Sequence, residues 1–133
     1  MLTENSFFNF TFDVDDGYLR EEIYTETGEA ILGNLGMTLP ADYDEAFRRF
    51  TEKFQPRFPH EEDKRFFSCA GLREMHAEKK KSMYVEYYLP QLNMHVSVLT
   101  LLAKDPVTGH LILNASALDI TERAHRDRDW KRG

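Results

Sequence analysis

Residues 109–123 read GHLILNASALDITER, and the change of character within this stretch decides the fold. Leu111, Leu113, Ala115 and Ala117 alternate with Ile112, Asn114, Ser116 and Leu118, the two-residue period of a strand. At Asp119-Ile120-Thr121-Glu122-Arg123 the run stops and the composition turns almost wholly charged, so a polar helix is expected to start there. Asp119 followed three residues later by Glu122 has the spacing of a reciprocal helix cap, with Thr121 as a competing cap. Either would satisfy amide donors that a helix start leaves unpaired.

Two more extended segments come before this one. Met83 to Leu89 is rich in Tyr84, Tyr87 and Tyr88, and Met94 to Lys104 is dense in Val96, Val98, Leu99, Leu101 and Leu102. Pro90 with Gln91 to Asn93 makes one connection, and Asp105-Pro106-Val107-Thr108-Gly109 makes the other. Near the start of the chain, Phe8, Phe10, Phe12 and Val14 alternate with Phe7, Asn9, Thr11 and Asp13, which predicts a strand from Phe7 to Val14. Asp15-Asp16-Gly17 supplies hairpin turn chemistry, and Tyr18 to Thr25 is expected as the second strand.

The middle of the chain reads as helical. Glu26 to Leu39 is broken by Gly28, Gly33 and Gly36 and is expected as loop with one short helical turn. Asp42 or Asp44 can cap a helix from Tyr43 to Phe54, whose Phe47, Phe50 and Phe54 must face a core. After Pro56 and Pro59 a third helix is expected from His60 or Glu61 to about Ala77, with Glu61, Glu62 and Asp63 in the positive field of its first turn. Phe66, Phe67, Ala70, Leu72 and Met75 form its buried face.

The turn Asp105 to Gly109, the strand after it and the string Asp119-Ile120-Thr121-Glu122-Arg123 resemble the C-terminal end of a PAS sensor domain, where such a string closes the sheet and hands on to a signalling helix. Pro59 to Met75 resembles the helix before the long hairpin in PAS domains of bacterial GGDEF (diguanylate cyclase) proteins. The order of two strands, helices and three strands matches the PAS layout along essentially the whole chain. The resemblance implies an α+β fold: a five-stranded antiparallel sheet with a helical crossover after the second strand, helices on one face, and the start of a C-terminal signalling helix. Residues 1–120 would be the PAS domain, and 121–133 a linker or signalling helix. The charged stretch ending at Trp130-Lys131-Arg132-Gly133 is expected to continue into a longer protein.

Composition narrows the function classes. At 133 residues the chain is one domain long, and 41% hydrophobic with 13% aromatic residues supports a folded core. Seventeen basic against 23 acidic residues give a charge of -6, without the electrostatic footprint of a nucleic-acid binder. Lys79-Lys80-Lys81 reads as a solvated loop. One cysteine, Cys69, cannot form an internal disulfide, so a reducing cytoplasm is the expected location. No stretch reads as a signal peptide or membrane span.

Motifs for chemistry are sparse. His60-Glu61-Glu62-Asp63-Lys64 has lysine where a zinc protease needs its second histidine, and His76, His95, His110 and His125 show no paired ligand spacing. Asp13, Asp15 and Asp16 read as turn chemistry, because Gly17 stands where a calcium loop needs an oxygen ligand. Phe67-Ser68-Cys69-Ala70-Gly71 does not match the cysteine string of flavin photoreceptors, and Ala117 stands where their strand carries a flavin-facing glutamine. No flavin or haem motif is present, no metal site is expected, and no catalytic set can be arranged from sequence.

By the family pattern the Leu111, Leu113, Ala115, Ala117 face is concave, and two successive alanines leave room for a ligand walled by Phe10, Phe12, Tyr87, Val98, Ala115 and Ala117. The competing reading is that Phe47, Phe50, Phe54 or Phe66 fills the space. Ile112 and Leu118 on the other face want a cover, either residues 1–7 or a second copy, since PAS domains commonly dimerise there. The resemblance implies a non-catalytic sensory module that binds a small ligand or a partner, dimerises, and signals through Asp119, Thr121, Glu122 and Arg123 to a covalently linked output domain. That domain would be a GGDEF cyclase or, alternatively, a histidine kinase. Two different classes compete with a sensor: a structural dimerisation module with a filled core, and a small enzyme or carrier, for which the inward residues offer no titratable groups.

Overall fold

The computed structural model describes residues 5–78 and 82–124. In chain order its elements are β1 (Asn5–Asp13), β2 (Tyr18–Leu19), α1 (Ile31–Asn34), β3 (Ala41–Asp42), α2 (Tyr43–Phe54), a 3₁₀ helix (Glu61–Phe67), α3 (Cys69–Ala77), β4 (Ser82–Leu89), β5 (Met94–Lys104) and β6 (Leu111–Asp119). A helical turn follows at 121–124. The chain is α+β, with an antiparallel four-stranded sheet in the order β1-β6-β5-β4 and a separate two-stranded pair, β2-β3. The first and last strands of the chain are therefore neighbours, with Phe8 facing Ala117, Phe10 facing Ala115 and Phe12 facing Leu113.

The expected second strand, Tyr18 to Thr25, does not form. Only Tyr18–Leu19 is extended in a ladder, and it pairs with Ala41–Asp42 rather than with β1. The reason lies in Glu22, whose carboxylate accepts the amides of Ile23 at 2.8 Å, Leu32 at 2.8 Å and Gly33 at 2.9 Å. This anchors the segment over the start of α1, while Leu19 and Ile23 insert into the core. Among the described residues this segment meets β1 through the Phe8–Thr25 bridge and the Glu26 amide, which donates to the Phe7 carbonyl at 3.1 Å. The sheet accordingly has four strands where five were expected.

The third helix is also divided. Ser68 is extended (φ −148°, ψ 151°) and its side chain accepts the Gly71 amide at 3.0 Å, so the 3₁₀ helix ends and α3 begins afresh. Gly71 permits this join, because a Cβ there would lie 2.1 Å from the Arg65 carbonyl oxygen.

Helices cover one face of the sheet. Asp42 caps α2 by accepting the Glu45 amide at 2.9 Å, and Asp44 accepts the Cys69 amide at 2.8 Å, tying the starts of α2 and α3 together. Tyr43 stacks on Phe12 with centroids 4.1 Å apart, and its hydroxyl donates to the Phe66 carbonyl at 2.6 Å. Phe47 stacks on Phe67 at 4.7 Å. On the opposite face Tyr84, Leu99 and Leu101 are 49%, 48% and 44% exposed, with Ile112 and Leu118 half-buried beside them. At the free edge of β4, Arg57 and Tyr88 exchange backbone hydrogen bonds of 2.9 and 2.8 Å, and the Asp63 carboxylate accepts the Glu86 amide at 3.1 Å. No helix among the described residues is long and apolar enough to cross a membrane.

Candidate functional site

The six residues expected to wall a ligand lie together on the inner face, within an aromatic cluster. Phe12 is stacked under Tyr43, and Phe10 has the rings of Tyr43, Phe47 and Phe66 within 6.3 to 6.5 Å. Val98, Ala115 and Ala117 are buried, with Phe10 and Phe8 beside the two alanines on the neighbouring strand. Tyr87 meets Phe50 and Phe67 edge-on, at 6.3 and 5.6 Å. Its hydroxyl is buried with no hydrogen-bond partner among the described residues, and burial pushes its pKa well above the usual phenol range.

A cavity of about 240 Å³ lies at the other end of the helical layer, lined in part by Phe7, Phe50, Phe54 and Leu89. Alternation alone puts Phe7 on the outer face with Asn9, yet it lines this cavity. The register explains it: Ser6 faces Leu118 and Phe8 faces Ala117, so Phe7 is the extra residue of a bulge. A bulge re-aims one side chain without disturbing the faces on either side. Glu29 and Lys53, both exposed, also line the cavity. Lys53 donates to the Asn34 carbonyl at 3.1 Å and lies 5.6 Å from the centroid of the Phe54 ring. Sequence reasoning places Phe50 and Phe54 in the core and misses Phe7, Glu29, Lys53 and Leu89 as neighbours, since no local period joins them.

The same surface leads to the end of the sheet. A more open groove of about 500 Å³ shares Phe7, Thr25, Glu29 and Leu92 with the cavity and extends past Met94 to Asp119. There the Asp119 carboxylate accepts both the amide and the hydroxyl of Thr121, and the Thr121 hydroxyl accepts the His95 amide. Of the expected relay residues, Asp119 and Thr121 are thus bonded to one another, Glu122 is exposed, and Arg123 donates to the Tyr84 hydroxyl at 2.7 Å across the outer face. The helical turn begins at Thr121; the rest of the expected signalling helix, from residue 125 on, lies outside the described residues, as do His125 and Lys79 to Lys81.

A second cluster joins the β1–β2 loop to the β5–β6 hairpin. Asp13, Asp15 and His110 place ligand atoms within 4.8 Å of one another, the described set that converges closely enough to hold a cation. Those atoms are engaged with protein. Asp13 lies 2.7 Å from His110 Nδ1 and also accepts the Asp15 and Asp16 amides, and Asp15 accepts from the Leu111 amide and from Arg73. The hydrogen bond to Asp13 raises the His110 pKa, and the Leu111 amide lowers that of Asp15. No linear spacing pairs His110 with Asp13; strand pairing between β1 and β6 does. Cys69 is half-buried, and burial followed by the neighbouring Asp44 carboxylate pushes its thiol up to about 12, so it is protonated at neutral pH.

Searched against known proteins, the chain matches no family model, no curated protein and no solved structure.

Proposed function

We propose that this chain is a non-catalytic sensory module of the PAS type, which reads a small ligand and passes the signal through the Asp119–Thr121 junction to a linked output domain. The observation that carries this reading is the continuity between the cavity at Phe7 and the groove that ends at Asp119. Phe7 is the bulged residue of β1, and its neighbours Asn5 and Ser6 pair with Asp119 and Leu118. A molecule seated against Phe7 therefore presses on the part of the sheet that positions the start of the following helix. The sheet order, with the first and last strands adjacent and a helical block between them in sequence, supports the family reading. A GGDEF diguanylate cyclase in a bacterial cytoplasmic signalling protein is the favoured output, and a histidine kinase the alternative.

A second reading is a dimerisation module with a filled core. It is favoured by the ring packing around Phe10, Ala115 and Ala117 and by the apolar outer face of Tyr84, Leu99 and Leu101, with Ile112 and Leu118 beside them. The deciding experiment is Asp119→Ala in the protein that carries its output domain. Altered regulation of output with the sensory domain still folded supports the relay, and unchanged regulation rejects it. Native mass spectrometry of freshly purified protein separates the two readings further: a retained small molecule favours sensing.

A further inference from the structure

The cavity at Phe7 is lined by apolar side chains together with two of opposite charge. Phe7, Phe50, Phe54 and Leu89 supply rings and an aliphatic side chain, while Glu29 and Lys53 stand exposed on the same lining. The two charges are not paired with each other: among the described residues Lys53 bonds to the Asn34 carbonyl, and the Glu29 carboxylate has no partner. An ammonium has three donors, so Lys53 keeps two for a ligand. A carboxylate and an ammonium beside one apolar hollow match a molecule that carries both charges at one end and a hydrocarbon group at the other.

We propose that this cavity binds a free α-amino acid with an apolar side chain, its carboxylate on Lys53, its ammonium on Glu29, and its side chain against Phe7, Phe50 and Phe54. The proposal rests on the sensory reading, in that it names the molecule sensed. Size is consistent with it: about 240 Å³ exceeds the roughly 150 Å³ that holds a benzene-sized guest, leaving space for a phenyl or isobutyl group. A purely apolar ligand would leave both charges unused, and a simple carboxylic acid would meet Glu29 as a like charge. A zwitterion meets Lys53 and Glu29 each with its opposite charge, through charge-assisted hydrogen bonds stronger than neutral ones.

The test is calorimetric titration of the whole chain with L-phenylalanine and L-leucine, with N-acetyl-L-phenylalanine and L-phenylalaninamide as probes that lack the ammonium and the carboxylate. The expected result is binding of the free amino acids, with each blocked probe weaker by about tenfold or more. Lys53→Met should weaken L-phenylalanine about tenfold while leaving L-phenylalaninamide unaffected, and Glu29→Gln should do the converse with N-acetyl-L-phenylalanine. Both side chains are exposed, so neither substitution threatens the fold. Absence of binding by both free amino acids, or blocked probes that bind as tightly as the free ones, overturns the proposal. Such a failure leaves the sensory reading standing, because that reading is judged by the regulation of output in Asp119→Ala.

Discussion

Thr121 donates its amide and its hydroxyl to the same carboxylate oxygen of Asp119, at 2.9 and 2.5 Å, and its hydroxyl oxygen accepts the His95 amide at 3.0 Å. One side chain thereby fastens the end of β6 to the start of β5 just where the helical turn begins. Thr121→Val keeps the shape and deletes the hydroxyl, leaving the His95 amide without that partner. The expected loss is about 1 to 2 kcal/mol, read from the urea midpoint. An unchanged midpoint would mean that the junction is held by the backbone alone.

Gly71 is the tightest approach between the 3₁₀ helix and α3. Gly71→Ala puts a methyl group 2.1 Å from the Arg65 carbonyl oxygen and forces the two helices apart, with an expected loss of about 2 to 3 kcal/mol. Gly17→Ala is the control, since its surroundings are open and only its positive φ of 82° opposes the change. It should cost about 1 kcal/mol. Thermal melts that ranked Gly17→Ala as the more damaging would contradict the packing described.

His110 should make stability depend on pH in a defined direction. Its pKa is raised in the folded chain, chiefly by the hydrogen bond to Asp13, with Asp15 and Asp105 adding negative field. The stabilisation is therefore complete below the ordinary histidine value of 6.5 and disappears as pH rises through the raised one. Melting temperatures of the wild type and His110→Gln should differ most below pH 6.5 and converge as the pH rises through the raised value. Asp15, whose pKa is lowered, contributes in the opposite sense at much lower pH and stays outside this window. A gap that widens with rising pH would refute the assignment.

Tyr87 carries a buried hydroxyl without a protein partner among the described residues. Tyr87→Phe removes that desolvated group and keeps the ring contacts to Phe50, Phe58 and Phe67. Stability should rise, by on the order of 1 kcal/mol. A lower denaturant midpoint would reveal that the hydroxyl is bonded in solution, to water or to a ligand.

How much of the fold is legible in the residues depends on whether the signal is local. The apolar period of Phe47, Phe50 and Phe54 locates α2 over its full length, and the runs from Met83, Met94 and Leu111 locate β4, β5 and β6 to within a residue of their ends. Tyr18 to Thr25 misleads because turn chemistry at Asp15-Asp16-Gly17 shows that the chain reverses, not what it then pairs with. Glu22, bonded to amides ten and eleven residues away, decides that. Ser68 looks like an ordinary helix position, and its capping role depends on the approach of Gly71 to Arg65. In the cavity, Phe50 and Phe54 follow from period, whereas Phe7 arrives through a bulge that alternation cannot reveal. The apolar outer face is half visible: Ile112 and Leu118 stand out by alternation, but Leu99 and Leu101 merge into a uniformly hydrophobic strand, although they point away from the side that buries Val96, Val98 and Leu102.

The backbone exchange between Arg57 and Tyr88 has a consequence for assembly. An exposed outer strand is an invitation to add strands from other molecules, the first step toward fibrils. Here Arg57 and the Asp63 carboxylate plug β4, and Thr25 with Glu26 occupies the facing margin at Phe7 and Phe8. At these positions the outer margins of the sheet already hold hydrogen-bonding partners from their own chain, so a strand from another molecule would first have to displace them.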